Sequence, residues 1–416
     1  MNVSKFIASR TYGSFRSSLI RNIIRISIIS TSLSVCVMIV AGSVFEGFKS
    51  QIAAKVFGFW GHIHVTDLQV SRSIEPFQIR NADSVLQLIK TADFSRIGLS
   101  QDCITKMEPF VVLPAILSGN RGNEGVFLKG IPEHFDPGFM MSALKSGSWL
   151  DFKDSLFSRG VLISEQTTRK ADLKAGDPLI GHFVLDGRIV KRKLTVAGTY
   201  RTGLEEYDRK FALVDIRLLQ NLLGWKADEV TGIELFVKNI GDAGRINTFL
   251  YEEILPSNLY SETIRDKFPN IFEWLALQDI NRSFILGLIL LVCIINMVTT
   301  LLILILERTH MIGLLSALGM DTWSQRKIFI RYGVRILFQG ILIGNLAGIG
   351  LCLIQWKWKI IKLSEADYYL DHAPVALNPF VWLVLSLIFF LVISISLLVP
   401  SWLVSRLKPV NALKFR

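Results

Sequence analysis

Four apolar runs of about twenty residues each constrain the fold of this chain more than any other feature of its sequence. They occupy residues 26–45, 284–306, 336–354 and 380–399, and none contains Asp, Glu, Lys or Arg. A hydrocarbon core about 30 Å thick needs about 20 such residues in a helix, and a charge at its centre costs roughly 2.5 to 3.5 kcal/mol. A soluble protein can bury one such helix, but four of them predict four transmembrane helices.

The long insert at 46–281 has a different pattern, with period-2 and helical segments in mixed order. Residues 57–66 turn from glycine-rich chain into a strand. Further strands are predicted at 107–117, 125–129, 160–163, 188–200, 210–214 and 232–237, and helices at 82–91, 165–171, 217–223 and 242–255. The predicted fold class is an α-helical membrane protein with four transmembrane helices and a large α+β extracytoplasmic domain inserted between helices 1 and 2.

Orientation follows from the Lys and Arg residues in the short flanks, which favour the cytoplasm. These residues are concentrated in the N-terminal segment 1–25, the loop 307–335 and the tail 400–416, so both termini are predicted to be cytoplasmic. The insert and the loop 355–379 are then on the opposite, periplasmic side. The net charge of +11 is mostly a topology signal and gives little support for a nucleic acid partner.

Residues 1–25 mix basic and aromatic side chains and predict an interfacial helix that leads into the first span. The alternative is a cleaved signal peptide, because Ala41, Gly42 and Ser43 end an apolar run with small residues. That run is longer than the usual core of about 7 to 15 residues, which favours a retained membrane helix.

Residues 307–320 (ERTHMIGLLSALGM) directly follow the second apolar run and predict a short helix. Met311, Leu314, Leu315 and Leu318 fall on one stripe, and Gly319 is placed to end the helix. Such a helix offers an apolar knob to a cytoplasmic partner.

Motifs of covalent catalysis are not found in the sequence. It has no phosphate-binding Gly-x-x-x-x-Gly-Lys-Ser/Thr stretch, no His-Glu-x-x-His and no Gly-x-Ser-x-Gly. Glu205, Glu206 and Asp208 cluster after a glycine, and we interpret them as a solvated turn. The chain is therefore not predicted to be an enzyme and carries no predicted cofactor.

His62 and His64 would share one face of a strand and were weighed as metal ligands. No nearby Cys or acidic ligand completes a site, so structural roles are favoured and no metal site is predicted. Three of the four cysteines fall in the apolar runs, which leaves no disulfide framework for the insert.

Gly340, Gly344 and Gly348 recur every four residues in the third apolar run and mark one helix face for close packing. A neighbouring helix of the same chain or a second copy would fit this face equally well.

Several stretches together resemble ABC-transporter permeases of the MacB/FtsX superfamily, and within it the lipoprotein-releasing permeases LolC and LolE. The layout of one span, a large outer domain and three further spans is similar to that of the superfamily. The stretches that carry the resemblance are 44–48 with 61–63, 160–164 with 173–177, 196–208, 307–320, 366–375 and 400–413.

The resemblance implies a permease of the bacterial inner membrane that works with two copies of a cytoplasmic ATPase, which would bind ATP and Mg²⁺. It also implies a second permease, identical or related, a periplasmic carrier and an acylated lipoprotein substrate. The implied ATPase-coupling residues are Glu307, Arg308, Ile312, Gly313, Leu318 and Gly319. The implied acyl-chain contacts between the first and second spans are Val40, Phe45, Phe48, Ile280 and Phe284.

Three alternatives stay open at this point. A MacB-like exporter of peptides or small molecules would use the same coupling segment, and an FtsX-like transducer would control a cell-wall hydrolase through its outer domain. An adhesin or structural membrane protein without an ATPase would leave residues 307–320 unexplained.

Overall fold

The computed structural model describes residues 18–69, 77–153, 156–185 and 187–406. Its helices are α1 (Ser18–Trp60), α2 (Ala82–Thr91), α3 (Gly138–Ala143), α4 (Glu165–Ala171), α5 (Glu205–Lys210), α6 (Ile216–Leu223), α7 (Ala243–Phe249), α8 (Ile264–Lys267), α9 (Pro269–Glu307), α10 (Thr309–Ala317), α11 (Thr322–Trp358), α12 (Glu365–Tyr368), α13 (Pro379–Ser396), α14 (Leu398–Ser401) and α15 (Leu403–Arg406). Its strands are β1 (Ile63–Asp67), β2 (Ile104–Ser118), β3 (Asn123–Ile131), β4 (Leu144–Gly147), β5 (Gly160–Ser164), β6 (Pro178–Leu185), β7 (Arg188–Tyr200), β8 (Phe211–Asp215), β9 (Gly232–Val237) and β10 (Leu259–Thr263).

Four helices in the described part of the chain are long and apolar enough to cross a membrane, and this confirms the predicted fold class. The helices that form these candidate spans are α1, α9, α11 and α13, the last continued by α14. These segments are rich in β-branched residues, but a helix is still their stable form. Lipid provides no hydrogen-bond partner for a backbone N–H or C=O group, and a helix pairs these groups internally. The first three contain 43, 39 and 37 residues, about twice the length that a bilayer needs.

The first and third predicted spans therefore lie well inside the observed helices, the second begins 15 residues after its helix does, and the fourth, predicted at 380–399, runs three residues past the end of α13. α1 continues through residues 46–60, which the sequence assigned to the outer domain, and residues 57–60 are helical and not loose glycine-rich chain. The strand that was predicted after them begins at Ile63. Of the predicted interfacial segment, residues 1–17 lie outside the described residues, and 18–25 belong to α1.

One compact unit consists of residues 1–49, 274–362 and 372–416, as far as these are described. Its core contains Val35 and Ile39 of α1, Met297 of α9, Ile336 of α11 and Phe389 of α13, all at most 1% exposed. Large apolar side chains on the outside of these helices stay exposed, as expected where lipid replaces water.

The second unit, which we call the outer domain, consists of residues 50–273 and 363–371. Its ten described strands form one mixed sheet in the order β10-β1-β9-β2-β3-β8-β5-β7-β4, with β6 paired to β2 and β7. The long strand β2 pairs with β9 through residues 104–110 and with β3 through residues 111–118. One strand thus joins two halves of the outer domain.

All six predicted strands after residue 100 and all four predicted helices are present, with small shifts at their ends. Three strands were missed. β4 has four residues and β10 has five, while β6 begins with Pro178 and contains Gly181, both poor strand residues.

The last turn of α1 is held by a buried polar cluster of the outer domain. Lys129, 1% exposed, donates a hydrogen bond from Nζ to the Phe59 carbonyl at 2.6 Å, and its ammonium forms an ion pair with Glu234 Oε1 at 2.7 Å. The His64 Nε2–H donates to the Trp60 carbonyl at 2.8 Å. An ammonium group at a helix C-terminus donates to carbonyls that have no partner within the helix, and its positive charge interacts favourably with the helix dipole. This cluster therefore fixes the end of α1.

Candidate functional site

The segment after α9 forms the short helix that the sequence predicted, and it ends as predicted. Gly319 has a φ of +82° and donates to the Ser316 carbonyl at 3.0 Å, while Met320 N–H donates to the Leu315 carbonyl at 3.0 Å. This pair of bonds is a Schellman motif, in which a left-handed residue favours glycine. A side chain at 319 would therefore strain the turn.

The apolar stripe of α10 is divided between the inside and the outside of the unit. Leu314 and Leu318 are 49% and 76% exposed, whereas Ile312 is 1% exposed. Met311 and Leu315 are partly buried against the same core as Ile312. The tip that could enter a partner's groove is thus made by Leu314 and Leu318, which we call the knob.

The six residues implied by resemblance as coupling residues therefore have different surroundings. Glu307, Leu318 and Gly319 are exposed, Arg308 is half-buried, and Ile312 and Gly313 are buried. The buried pair can support the knob, and only the exposed residues can touch a separate protein directly.

Gln325 is a residue of this site that the sequence reasoning missed. Its amide, in a side chain that is 1% exposed, donates to Ser316 Oγ and to the Met320 carbonyl, both at 2.9 Å. Asp321 caps α11 by accepting from the Ser324 N–H at 2.9 Å. These bonds hold α10 on the start of α11, so the knob and α11 form one rigid corner. A buried glutamine near a helix start carries no sequence signal that separates it from an exposed one.

We expect Gln325→Met to weaken this corner without changing the knob. The substitution keeps the volume but leaves Ser316 Oγ and the Met320 carbonyl unpaired, a loss of roughly 1 to 3 kcal/mol. A reconstituted complex should still contain its ATPase, but substrate-stimulated ATP hydrolysis should fall about tenfold. Gln51→Met, at an exposed position of α1, is the control. Equal hydrolysis in the two variants would refute a positioning role for Gln325.

Two ion pairs join α1 to α9 beyond the predicted spans. Glu46 contacts Arg282 at 3.1 Å, and Lys49 contacts Asp279 at 2.6 Å. The rings of Phe48 and Trp274 lie beside them, 5.4 Å apart. We call these three contacts the outer bridge.

Beside and beyond the outer bridge, one face of α9 is open. Ile280 and Phe284 are 65% and 72% exposed, and a Cβ at Gly287 would meet nothing within 4 Å among the described residues. From Cys293 onward α9 enters the helix core, where Met297 accepts from Ser27 and Thr31 of α1 at 3.5 and 3.6 Å. α9 is therefore packed from Cys293 onward, whereas one face of it, at Ile280, Phe284 and Gly287, is open.

The other three residues implied as acyl-chain contacts lie on α1 and are partly buried. Val40 packs against the helix core, and Phe48 belongs to the outer bridge. The structure thus brings Phe48 close to Trp274 of α9 and leaves Ile280 and Phe284 exposed.

The three glycines of α11 face α1. A Cβ at Gly340 would lie 2.7 Å from the Thr31 side chain, and one at Gly344 would lie 2.6 Å from the Ser32 carbonyl. A Cβ at Gly348 would lie 3.1 Å from Ile39 Cβ. The small face is therefore filled by a helix of the same chain.

His62 and His64 are both engaged in hydrogen bonds of the outer domain. His62 Nδ1 accepts from the Val237 N–H at 3.1 Å, and His64 Nδ1 accepts from Lys267 Nζ at 3.1 Å. Burial lowers the pKa of each imidazole to about 4, so both are neutral at neutral pH. No group of three His, Cys, Asp or Glu residues that could hold a metal occurs among the residues with described positions.

Comparison with known proteins matches both parts of this architecture. Residues 283–409 match the FtsX-like permease C-terminal family, and residues 26–244, more than half of the chain, match the MacB-like periplasmic core domain. This chain belongs to the MacB/FtsX permease superfamily. It is a permease subunit of the ABC-transporter type, as the resemblance predicted.

Individual relatives have low identity but match over the full length. "Lipoprotein-releasing system transmembrane protein LolC" of Xylella fastidiosa is 23% identical over 415 residues, which cover 96% of this chain and 95% of the relative. The corresponding LolE of Haemophilus influenzae is 23% identical over 435 residues, 99% of each chain. The crystal structure of the periplasmic region of MacB from Actinobacillus actinomycetemcomitans covers 52% of this chain and 95% of its own, with 14% identity and a TM-score of 0.34.

Proposed function

We propose that this permease, with a second permease and two ATPases, extracts acylated lipoproteins from the inner membrane and passes them to a periplasmic carrier. The observation that carries the proposal is the open face of α9, formed by Ile280, Phe284 and Gly287 beside and beyond the outer bridge. Relatives named as lipoprotein-releasing proteins support this choice of cargo.

An open apolar helix face suits a substrate that arrives from within the membrane. Acyl chains can leave the lipid and contact Ile280 and Phe284 without crossing water. At roughly 0.8 kcal/mol per methylene, withdrawing several chains costs tens of kcal/mol. This cost explains why release needs ATP and a carrier that shields the chains.

The knob supplies the proposed contact with the ATPase. Leu314 and Leu318 would enter a groove of the ATPase, and ATP and Mg²⁺ would bind on that partner. From Glu307 the single helix α9 runs back to Pro269, roughly 58 Å along its axis. Movement of the corner that reaches Glu307 through Arg308 would therefore pass along one unbroken helix to the open face and the outer bridge.

The basic flanks support the orientation that this mechanism needs. Arg308, Arg326, Lys327, Arg331 and Arg335 surround α10 and the start of α11, in keeping with a cytoplasmic knob and cytoplasmic termini. The outer domain would then meet the carrier in the periplasm.

The test is a reversible cross-link across the outer bridge. In a background with the four buried native cysteines replaced, Lys49→Cys and Asp279→Cys are joined by a short bifunctional thiosulfonate. Lipoprotein release to the carrier from proteoliposomes should stop and should return when a reductant opens the link.

A matched control is the pair Asp102→Cys and Lys238→Cys, which replaces another exposed ion pair with an N···O distance of 2.6 Å. Linking it should leave release unchanged. If the 49–279 link also leaves release unchanged, the outer bridge does not gate the substrate. If depletion of the chain raises drug sensitivity or blocks wall hydrolysis while lipoproteins stay correctly localised, the MacB-like or FtsX-like alternative replaces the proposal.

A further inference from the structure

Two sequence stretches that lie about 160 residues apart meet in the outer-domain unit. One is the turn after β7, at 201–208, and the other is 363–371, between α11 and α13. Both belong to stretches that carry the family resemblance, yet the proposed transport mechanism assigns neither a role. Their contacts define what we call the clasp.

The first contact of the clasp is ionic. The Arg201 guanidinium pairs with Glu365 of the connecting segment and, at 3.5 Å, with Glu165 at the start of α4. The two carboxylates are 24% and 30% exposed, so the pairs are only partly screened by water. The planar guanidinium can hold two carboxylates at once, which a lysine ammonium does with less geometric definition.

The second contact joins backbone to side chain. Lys55 Nζ donates to the Tyr369 carbonyl at 2.8 Å, and Tyr369 has a left-handed φ of +58°. Gly203, with a φ of +79°, leaves room for this approach, because a Cβ there would lie 3.1 Å from the same carbonyl oxygen and 2.5 Å from Lys55 Nζ. The segment therefore fits closely against the turn.

The receiving turn is organised from beneath by Asp208. Its carboxylate accepts from Thr202 N–H at 3.0 Å, Thr202 Oγ1 at 2.7 Å and Gly203 N–H at 3.1 Å. Asp208 is 3% exposed, so the interpretation of 205–208 as a solvated turn is wrong for this residue, although Glu205 and Glu206 are exposed. A buried acceptor with three donors holds the turn in one shape.

The connecting segment is rigid where it leaves the membrane helices. Gln355 of α11 donates to the Ala373 carbonyl at 3.0 Å, and the Ala373 N–H donates to the Ile361 carbonyl at 2.9 Å. One step further, the Leu363 N–H donates to the Asp371 carbonyl at 3.0 Å. The two arms thus form a short paired ribbon, which transmits displacement better than an unpaired loop.

We infer that the clasp is a third mechanical attachment of the outer domain, so that displacement of α11 and α13 reaches this domain through residues 363–371 as well as through α1 and α9. Arg201 and Lys55 are positioning residues in this device. The inference goes beyond the proposed cargo, because any ATP-driven motion of a permease of this architecture would use the same attachment.

The experiment uses the full-length chain in lipid nanodiscs with its ATPase and second permease, in a Glu165→Gln background that removes the other partner of Arg201. Glu365→Arg places two guanidinium groups together, and adding Arg201→Glu restores an opposite pair. Glu205→Arg, at the same cleft but outside the clasp, makes the same charge change as the control. The readouts are amide hydrogen exchange of 363–371 and the ATP-dependent distance between spin labels at positions 226 and 357.

Glu365→Arg should speed exchange of 363–371 about tenfold and broaden the distance distribution, and the double swap should restore both. The control should match the background in both readouts. Unchanged exchange in Glu365→Arg would show that the clasp does not hold the segment. Faster exchange with an unchanged ATP-dependent distance would show that the attachment carries no motion. Neither readout needs a cargo, so these outcomes are independent of the proposed lipoprotein substrate.

Discussion

Leu318→Asp is expected to abolish recovery of the partner ATPase while leaving the permease folded. Leu318 is 76% exposed at the tip of the knob, so the change adds no buried charge to the free chain. In a complex the carboxylate would be buried in an apolar groove. Truncating a central interface residue commonly costs 2 kcal/mol or more, and about 2 kcal/mol weakens binding roughly thirtyfold. The measurement is affinity purification of the detergent-extracted permease with quantification of the co-purified ATPase.

Leu68→Asp makes the same change at an outer-domain position that is 51% exposed, and it should leave ATPase recovery at the wild-type level. Leu318 is a better probe than Gly313, because Gly313 is buried and its substitution would disturb packing as well as docking. Full ATPase recovery with both Leu314→Asp and Leu318→Asp would remove the knob from the coupling mechanism.

Lys129→Met is expected to destabilise the outer domain by roughly 3 to 5 kcal/mol, because it leaves the Glu234 carboxylate buried without its ammonium partner. The Phe59 carbonyl at the end of α1 loses its 2.6 Å donor in the same step. For a domain of this size the loss corresponds to a fall in Tm of about 10 °C. Thermal unfolding of the purified full-length chain measures it.

Two variants separate this loss from a general effect of the substitution. Lys238→Met removes an exposed ion pair with Asp102 and should leave the Tm close to the wild-type value. Lys129→Met combined with Glu234→Leu removes both buried charges and should recover much of the lost stability. A Tm for Lys129→Met within about 2 °C of wild type would contradict the assigned role of the cluster.

The two predictions address the two ends of a proposed mechanical path. In this proposal the knob would receive motion from an ATPase, while the Lys129 cluster fixes α1 to the domain that would use that motion. Both ends are rigid for local reasons, the Gln325 corner on one side and capped helix carbonyls on the other. Long unbroken helices such as α1 and α9 are suited to transmit displacement.

Much of the outer domain could be predicted because its strands are either alternating runs, as in β7, or short continuous apolar runs, as in β9. β9 and α2 have the predicted bounds, because the pattern of apolar residues that identifies each element stops at the residue where the element ends. The pairing of the strands could not be predicted. β3 lies parallel to β8, more than 80 residues later, and no local pattern contains that register.

The candidate site was predictable in part for the same reason. The composition of residues 307–320 predicts an apolar helix that ends at Gly319, and the structure has that helix. It does not predict that Ile312 is inside while Leu318 is outside, because both are apolar and only the neighbouring helices decide which is covered. The clasp was hidden because Arg201 and Glu365 read individually as ordinary surface charges.

The sequence by itself determined that the chain enters a membrane in four helices, that an α+β domain is inserted after the first, and which superfamily the chain belongs to. Runs of uncharged residues and alternation along strands are local properties, and local properties can be read from one chain. Only the tertiary structure decided that the glycines of α11 face α1, that Asp208 is buried and that the 363–371 segment packs with the outer domain. These facts depend on which distant atoms come within a few ångströms, and that is set by packing of the whole chain.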